Sequence, residues 1–274
     1  MCATCGCGEA MHEHEHGHAH EHGHAHEHTH HHHDHDHDHH HEHGHAHPHA
    51  HGEQERRLIK VEQDVLARNA LGAAKNRGFF AGRRLLALNL VSSPGSGKTT
   101  LLERTITELQ PGVTFAVIQG DQATDRDAER VRRAGARAVQ LITGTVCHLD
   151  AAMVERAVLE LDPPEGAVLA IENVGNLVCP AMFDLGESAR VVVASYAEGD
   201  DKPLKYPFMF RSADLIVLNK SDLAPHVDFD AARFREHCAS VKPGVPVLEL
   251  SARTGRGLPD WYGWLASQRD GARA

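Results

Sequence analysis

No run of apolar residues in this chain approaches the roughly eighteen needed to cross a bilayer, so membrane insertion is not expected. The N-terminus lacks the basic start and apolar stretch of a secretory signal. Six cysteines in 274 residues are too few for a disulfide scaffold. Three of them, Cys2, Cys5 and Cys7, crowd the N-terminus, a pattern that fits metal or redox chemistry in a reducing compartment; a cytoplasmic location is therefore expected. Lys and Arg are missing altogether from residues 1–53, which hold ten Asp or Glu. The remainder carries 28 acidic and 28 basic side chains, so the net charge of −10 resides in the N-terminal segment. A balanced body has no electrostatic footprint for nucleic acid, and none is expected as a partner.

What the chain has in excess is histidine. Of 26 histidines, 23 lie between His12 and His51, alternating with Glu, Asp, Gly and Ala. Nothing in residues 8–53 can build a core that offsets the entropy of ordering, so this stretch is expected to be a disordered tail that gathers metal ions. Three parts follow: an N-terminal Cys motif (1–7), the His-rich tail (8–53) and a globular domain (54–274). The domain is expected to open with an amphipathic helix over Leu58–Asn76, whose apolar positions Leu58, Val61, Val65, Leu66 and Leu71 recur at near-helical spacing. Strand-like runs follow at Leu85–Val91, Thr114–Ile118, Ala138–Ile142, Val168–Ile171, Val191–Ser195, Leu215–Leu218 and Val247–Leu250. Helical stretches sit between them, among them Lys98–Leu109, Ala123–Ala134, Leu149–Leu161 and Ala231–Cys238. This alternation predicts an α/β fold with a mostly parallel sheet covered on both faces.

The segment Ser92-Ser93-Pro94-Gly95-Ser96-Gly97-Lys98-Thr99-Thr100 follows a strand and opens a helix. Glycines there let backbone N–H groups point at phosphate oxygens, and the helix N-terminus adds its positive end. This is the position of the phosphate loop of a P-loop NTPase. Gly95 to Thr100 would cradle phosphates, Lys98 would reach the β- and γ-phosphates, and the Thr99 hydroxyl would bind Mg²⁺. Ser92 stands where the G-x-x-x-x-G-K-[ST] pattern has its first glycine. Asn219-Lys220-Ser221-Asp222, at another strand end, resembles the N-K-x-D guanine motif of GTPases. A carboxylate accepts from both the ring N1–H and the exocyclic amine of guanine, a donor pair that adenine lacks. Asp222 takes that role, with Asn219 on the base edge and the Lys220 stem on the ring. Ser251-Ala252 resembles the loop whose backbone amide meets the guanine oxygen. The implied nucleotide is GTP.

Glu172-Asn173-Val174-Gly175 occupies the place where GTPases carry D-x-x-G. Glu172 is the candidate for the Mg²⁺ shell, and Gly175 for sensing the γ-phosphate. Asp121 is a second acid, either for Mg²⁺ or for the attacking water; a turn or helix-cap role is its structural alternative. Thiolate and imidazole suit Ni²⁺ and Zn²⁺, which makes Cys147, His148 and Cys179 a candidate metal set, the alternative being buried cysteines and a helix-start histidine. Cys2, Cys5 and Cys7 beside the terminal amine offer a separate site of the kind that favours Ni(II). Cys238 is expected only to pack.

Together these motifs resemble the HypB family, nickel-incorporation GTPases of [NiFe]-hydrogenase maturation. The resemblance rests on Cys2-x-x-Cys5-Gly6-Cys7, Ser92–Thr99, Cys147-His148-Leu149-Asp150, Glu172–Pro180 and Asn219–Asp222. It implies a dimerising, slow GTPase that delivers Ni²⁺ to the hydrogenase large-subunit precursor with the small nickel chaperone HypA. It also implies tight Ni²⁺ binding at the N-terminal thiols, Ni²⁺ or Zn²⁺ at Cys147, His148 and Cys179 near a homodimer interface, and nickel storage in the tail. Two alternatives stand beside it. One is the related urease accessory GTPase UreG, against which the Cys cluster and the Cys147-His148 pair count. The other is a metal-storage protein with a vestigial nucleotide site.

Overall fold

Seven strands form one sheet, and every pairing in it is parallel. The computed structural model describes residues 50–122 and 126–273, so Cys2, Cys5, Cys7 and the histidine-rich segment before residue 50 lie outside the described residues. In chain order the elements are α1 (Ala50–Gly82), β1 (Leu86–Ser92), α2 (Lys98–Leu109), β2 (Phe115–Asp121), α3 (Arg126–Arg133) and β3 (Arg137–Ile142). Then come α4 (Ala151–Leu161), β4 (Val168–Glu172), a 3₁₀ turn (Cys179–Met182) and β5 (Ala189–Ser195). The chain continues through α5 (Lys202–Lys205), α6 (Pro207–Ser212), β6 (Leu215–Asn219) and a second 3₁₀ turn (Ser221–His226), and ends with α7 (Ala231–Val241), β7 (Val247–Glu249) and α8 (Leu258–Arg273).

The strand order is β3-β2-β4-β1-β5-β6-β7, with β1 in the centre. Its near-continuous apolar run marks a strand buried on both faces. Leu86, Leu88 and Leu90 pack with α2 and Trp261 of α8, while Ala87 points into the opposite cluster with Phe80 and Leu149. Ligands of such sheets bind beyond the carboxyl ends of the strands, and β1, β2, β4 and β6 all deliver their candidate residues there.

The expected N-terminal helix forms, but its buried face is not the one the apolar spacing marks. Val61, Val65, Leu66 and Leu71 are all exposed, Leu71 at 76%. The face that packs is Asn69, Ala73, Asn76 and Phe80, spaced four, three and four residues apart. A helix of 33 residues is about 50 Å long. Its described side chains from Arg56 to Arg68 are all exposed. Two asparagines make the attachment. Asn69 Nδ2 donates to Asp184 O and its Oδ1 accepts from Ala151 N, at 2.8 and 2.9 Å. Asn76 Nδ2 donates to Ala151 O (2.8 Å) and Leu185 O (3.0 Å). Because Asn76 is buried, Asn76→Ala leaves two carbonyls short of a donor and is expected to destabilise the domain by about 1–3 kcal/mol. A melting temperature within a degree of the parent would show that α1 is held by other means.

Candidate functional site

Gly95 (φ +75°) and Gly97 (φ +97°) give the loop after β1 its left-handed turns. A Cβ on Gly97 would lie 2.5 Å from Asn219 Nδ2, so glycine is also required for contact with the base-side loop. Lys98 is buried, and its Nζ donates to Ser92 Oγ at 2.6 Å. The serine that replaces the pattern's first glycine therefore seats Lys98. Burial lowers the Lys98 pKa, opposed by the nearby carboxylates of Glu172, Asp127, Glu198 and Asp121. A second layer escaped sequence inspection: Glu198 Oε1 lies 2.5 Å from Ser96 Oγ, and Lys202 Nζ donates to Ser93 Oγ at 3.0 Å. Both come from the segment after β5, which no local pattern links to the phosphate loop.

Glu172 ends β4 directly beneath this loop. Its Oε1 accepts from Thr99 Oγ1 (2.7 Å) and its Oε2 from Gln119 Nε2 (2.8 Å). Burial raises the Glu172 pKa, and Lys98 together with the Thr99 hydroxyl opposes the shift. Asp121 is the last residue of β2, paired with Ile142. Hydroxyl and carboxylate oxygens from Thr99, Glu172 and Asp121 are the hard donors that fit Mg²⁺. They line a cleft of about 520 Å³, together with Lys98, Asp127 and Arg130. Asp127 and Arg130 were also missed, although their i, i+3 spacing on α3 puts them on one face. Arg130 reaches Glu103 at 2.6 Å and Thr100 Oγ1 at 3.2 Å. Gly175 lines the cleft: a Cβ there would lie 3.0 Å from Pro94 Cα, so glycine lets the segment after β4 rest closely on the loop after β1.

At the base end, Asn219 ties three loops together. Its Nδ2 donates to Ser96 O (2.9 Å) and its Oδ1 accepts from Ala252 N (3.0 Å), which leaves one Nδ2 hydrogen for a base edge. Lys220, at φ +61°, sends Nζ to Gly95 O at 2.6 Å. Ser251 Oγ donates to Asp222 Oδ1 (2.6 Å) and accepts from Thr254 N (3.1 Å), orienting the carboxylate. The Ser251 N–H donates to Arg256 O at 2.9 Å.

Cys147, His148 and Cys179 come together although they are far apart in sequence. Their ligand atoms all lie within 4.8 Å of one another, the two sulfurs are 3.0 Å apart, and all three residues are buried. Asp150, not His148, caps α4, accepting from Met153 N at 2.7 Å. The His148 ring stacks on Phe183 with centroids 4.0 Å apart, and its buried Nδ1 has no hydrogen-bond partner among the described residues. Burial lowers the His148 pKa, which favours the neutral imidazole that can ligate, and Asp150 opposes the shift. Two thiols and one imidazole, whose Nδ1 is the orphaned atom, are a donor set suited to Ni²⁺ or Zn²⁺. Exposed Ile142, Val146, Val178 and Met182 belong to the strand and loops that carry these ligands. Cys238 is buried in α7, and burial pushes its thiol up to about 12; it packs among Phe210, Phe234 and their neighbours, as expected.

Known proteins share this arrangement. The model of the CobW/HypB/UreG nucleotide-binding domain matches residues 86–249. The hydrogenase maturation factor HypB of Azotobacter vinelandii is 54% identical over 215 residues, 78% of this chain and 71% of that protein. The crystal structure of HypB from Helicobacter pylori in complex with nickel superposes with a TM-score of 0.70 at 38% identity, over 74% of this chain and 95% of that one. HypB from Archaeoglobus fulgidus gives the same TM-score at 40% identity, over 74% of this chain and 99% of that one. The phosphate loop, the N-K-x-D strand end and the matched sequence agree: the chain belongs to the CobW/HypB/UreG family, in its HypB branch.

Proposed function

We propose that the protein is a GTP-hydrolysing nickel metallochaperone that stores nickel and helps insert it into the [NiFe]-hydrogenase large subunit during maturation. The observation that carries this is a juxtaposition within one body. The strand end that brings Glu172 to Thr99 continues, seven residues on, to Cys179 of the Cys-His-Cys cluster. A storage protein with a vestigial nucleotide site has no need of an oriented Asp222 or a seated Lys98, and relatives at 54% identity named hydrogenase maturation factor HypB favour the hydrogenase reading over UreG.

In this reading, Asp222 accepts from guanine and the loop amides of Gly95–Thr100 hold the phosphates. The Lys98 ammonium stabilises charge on the transferring phosphoryl group. Thr99, Glu172 and Asp121 hold Mg²⁺, which neutralises phosphate charge when bound. Water is the nucleophile, and no Ras-like glutamine follows Gly175, which fits slow turnover. Nickel is the cargo of Cys147, His148 and Cys179, a set that also accepts Zn²⁺. Movement of the segment from Glu172 to Cys179 on hydrolysis then loosens one ligand and releases the metal. Three ligands leave a tetrahedral or planar site one short. The exposed Ile142, Val146, Val178 and Met182 support a homodimer that faces two such sites together. The small chaperone HypA and the hydrogenase large-subunit precursor are partners that the family membership supports. Cys2, Cys5 and Cys7 form the separate nickel site and the histidine tail the reservoir.

Base selection tests the nucleotide half. Asp222→Asn replaces an acceptor of two guanine donors with an amide that presents a donor to the base. GTP affinity is expected to fall by about 10²-fold or more, while xanthosine triphosphate, whose carbonyl accepts that donor, gains. Unchanged GTP affinity in a nucleotide-binding assay would remove Asp222 from the base pocket.

A further inference from the structure

We infer that Asn173 is the positioning residue that makes the metal loop follow the nucleotide, an inference that rests on the nickel–GTPase reading above. Asn173 follows Glu172 directly and is 1% exposed. One side-chain oxygen serves two loops: Oδ1 accepts from Val174 N (3.0 Å), in the segment that lies on the phosphate loop, and from Leu149 N (3.1 Å). Leu149 follows Cys147 and His148 directly in the chain. The amide cannot turn away freely. Its Nδ2 donates to Asn89 Oδ1 (3.3 Å) in the central strand, and Asn89 Nδ2 donates to Glu187 Oε1 (3.0 Å), which is held by Arg190 (2.6 Å).

The same loop is pinned a second time beside the cleft. Leu149 is fully buried, and a Cβ on Gly120 would lie 2.9 Å from its Cγ, next to Asp121. The Cys147-His148 ligands therefore rest on two points whose chain neighbours, Glu172 and Asp121, line the phosphate cleft. Cys179 is carried by the β4 extension itself. When the segment at Val174–Gly175 shifts, Asn173 Oδ1 must either carry the Leu149 amide with it or leave a buried N–H without an acceptor, so one side chain couples two of the three ligands to the third.

The test uses full-length protein with Cys2, Cys5 and Cys7 changed to Ala, so that thiolate-to-nickel absorption reports the buried cluster alone. Nickel is titrated with Mg²⁺ and either a non-hydrolysable GTP analogue or GDP. The parent is expected to show affinities differing by on the order of tenfold between the two nucleotides. Asn173→Ala is expected to bring that ratio to within about twofold of one, and Asn173→Asp, which keeps the acceptor oxygen, to retain most of it. A residue that merely supports the fold would lower both affinities and keep the ratio. A full ratio in Asn173→Ala overturns the role of Asn173 and leaves the nickel–GTPase reading intact; a ratio of one in the parent overturns both. Amide hydrogen exchange provides a check that needs no variant. Protection at Leu149 is expected to differ between the two nucleotides, and identical protection overturns the inference.

Discussion

Lys98→Ala is expected to reduce GTP hydrolysis by about 10²–10³-fold, the scale of losing one preorganised charge-stabilising donor. The lysine sits where it is useless for anything else: buried, desolvated and held by Ser92 at 2.6 Å, with Glu172 lowering the cost of its charge. Its removal takes from Glu172 the largest of the influences that oppose its burial-raised pKa, while the Thr99 and Gln119 hydrogen bonds to that carboxylate remain. The variant should therefore fold and should keep nickel at both the N-terminal thiols and the Cys-His-Cys cluster, because the nucleotide and metal readings use different side chains. Hydrolysis is followed by phosphate release and nickel by equilibrium dialysis. Loss of nickel from the N-terminal site in this variant would show that nucleotide and terminal metal sites are one system.

The second large effect belongs to the cluster. Changing Cys147 and Cys179 together to Ala removes both soft ligands and leaves His148 alone. In protein already lacking the N-terminal cysteines, thiolate-to-nickel absorption is expected to disappear, with a fall of about 10²-fold or more in affinity at this site. Cys238 cannot substitute, since burial pushes its thiol up to about 12 and holds it protonated near neutral pH. Persistence of thiolate–nickel absorption in that variant would place the metal elsewhere. Nickel held by the histidine segment adds nothing to this band, because imidazole gives no thiolate transition.

How much of this was legible in the sequence depended on distance along the chain. Ser92–Thr100 and Asn219–Asp222 are contiguous motifs whose spacing encodes their chemistry, so both were readable, as was the parallel sheet, whose strands are continuous apolar runs. The metal cluster was half legible. Cys147-His148 and Cys179 were identifiable as ligand types, but they follow β3 and β4, which have β2 between them, and no local pattern states that strand order. The face of α1 was misjudged for a physical reason. Periodicity tests for an apolar stripe, whereas this helix docks through a mixed face, Ala73 and Phe80 with the hydrogen-bonded Asn69 and Asn76, and leaves its valines, Leu66 and Leu71 outside. Glu198, Lys202, Asp127 and Arg130 reach the site from segments whose charge reads as solvated surface, and Asn173 had no role until Leu149 N was found on its oxygen. Buried polar residues with long-range partners are what sequence reading loses here.

The coupling of hydrolysis to metal release is tested most directly by following both on one sample. Full-length protein with Cys2, Cys5 and Cys7 changed to Ala is loaded with nickel at Cys147, His148 and Cys179, mixed with GTP and Mg²⁺, and monitored for phosphate and for thiolate–nickel absorption. The account predicts that absorption decays with the rate of phosphate release, and that a non-hydrolysable analogue leaves it unchanged. Phosphate accumulating while the absorption holds steady would contradict it.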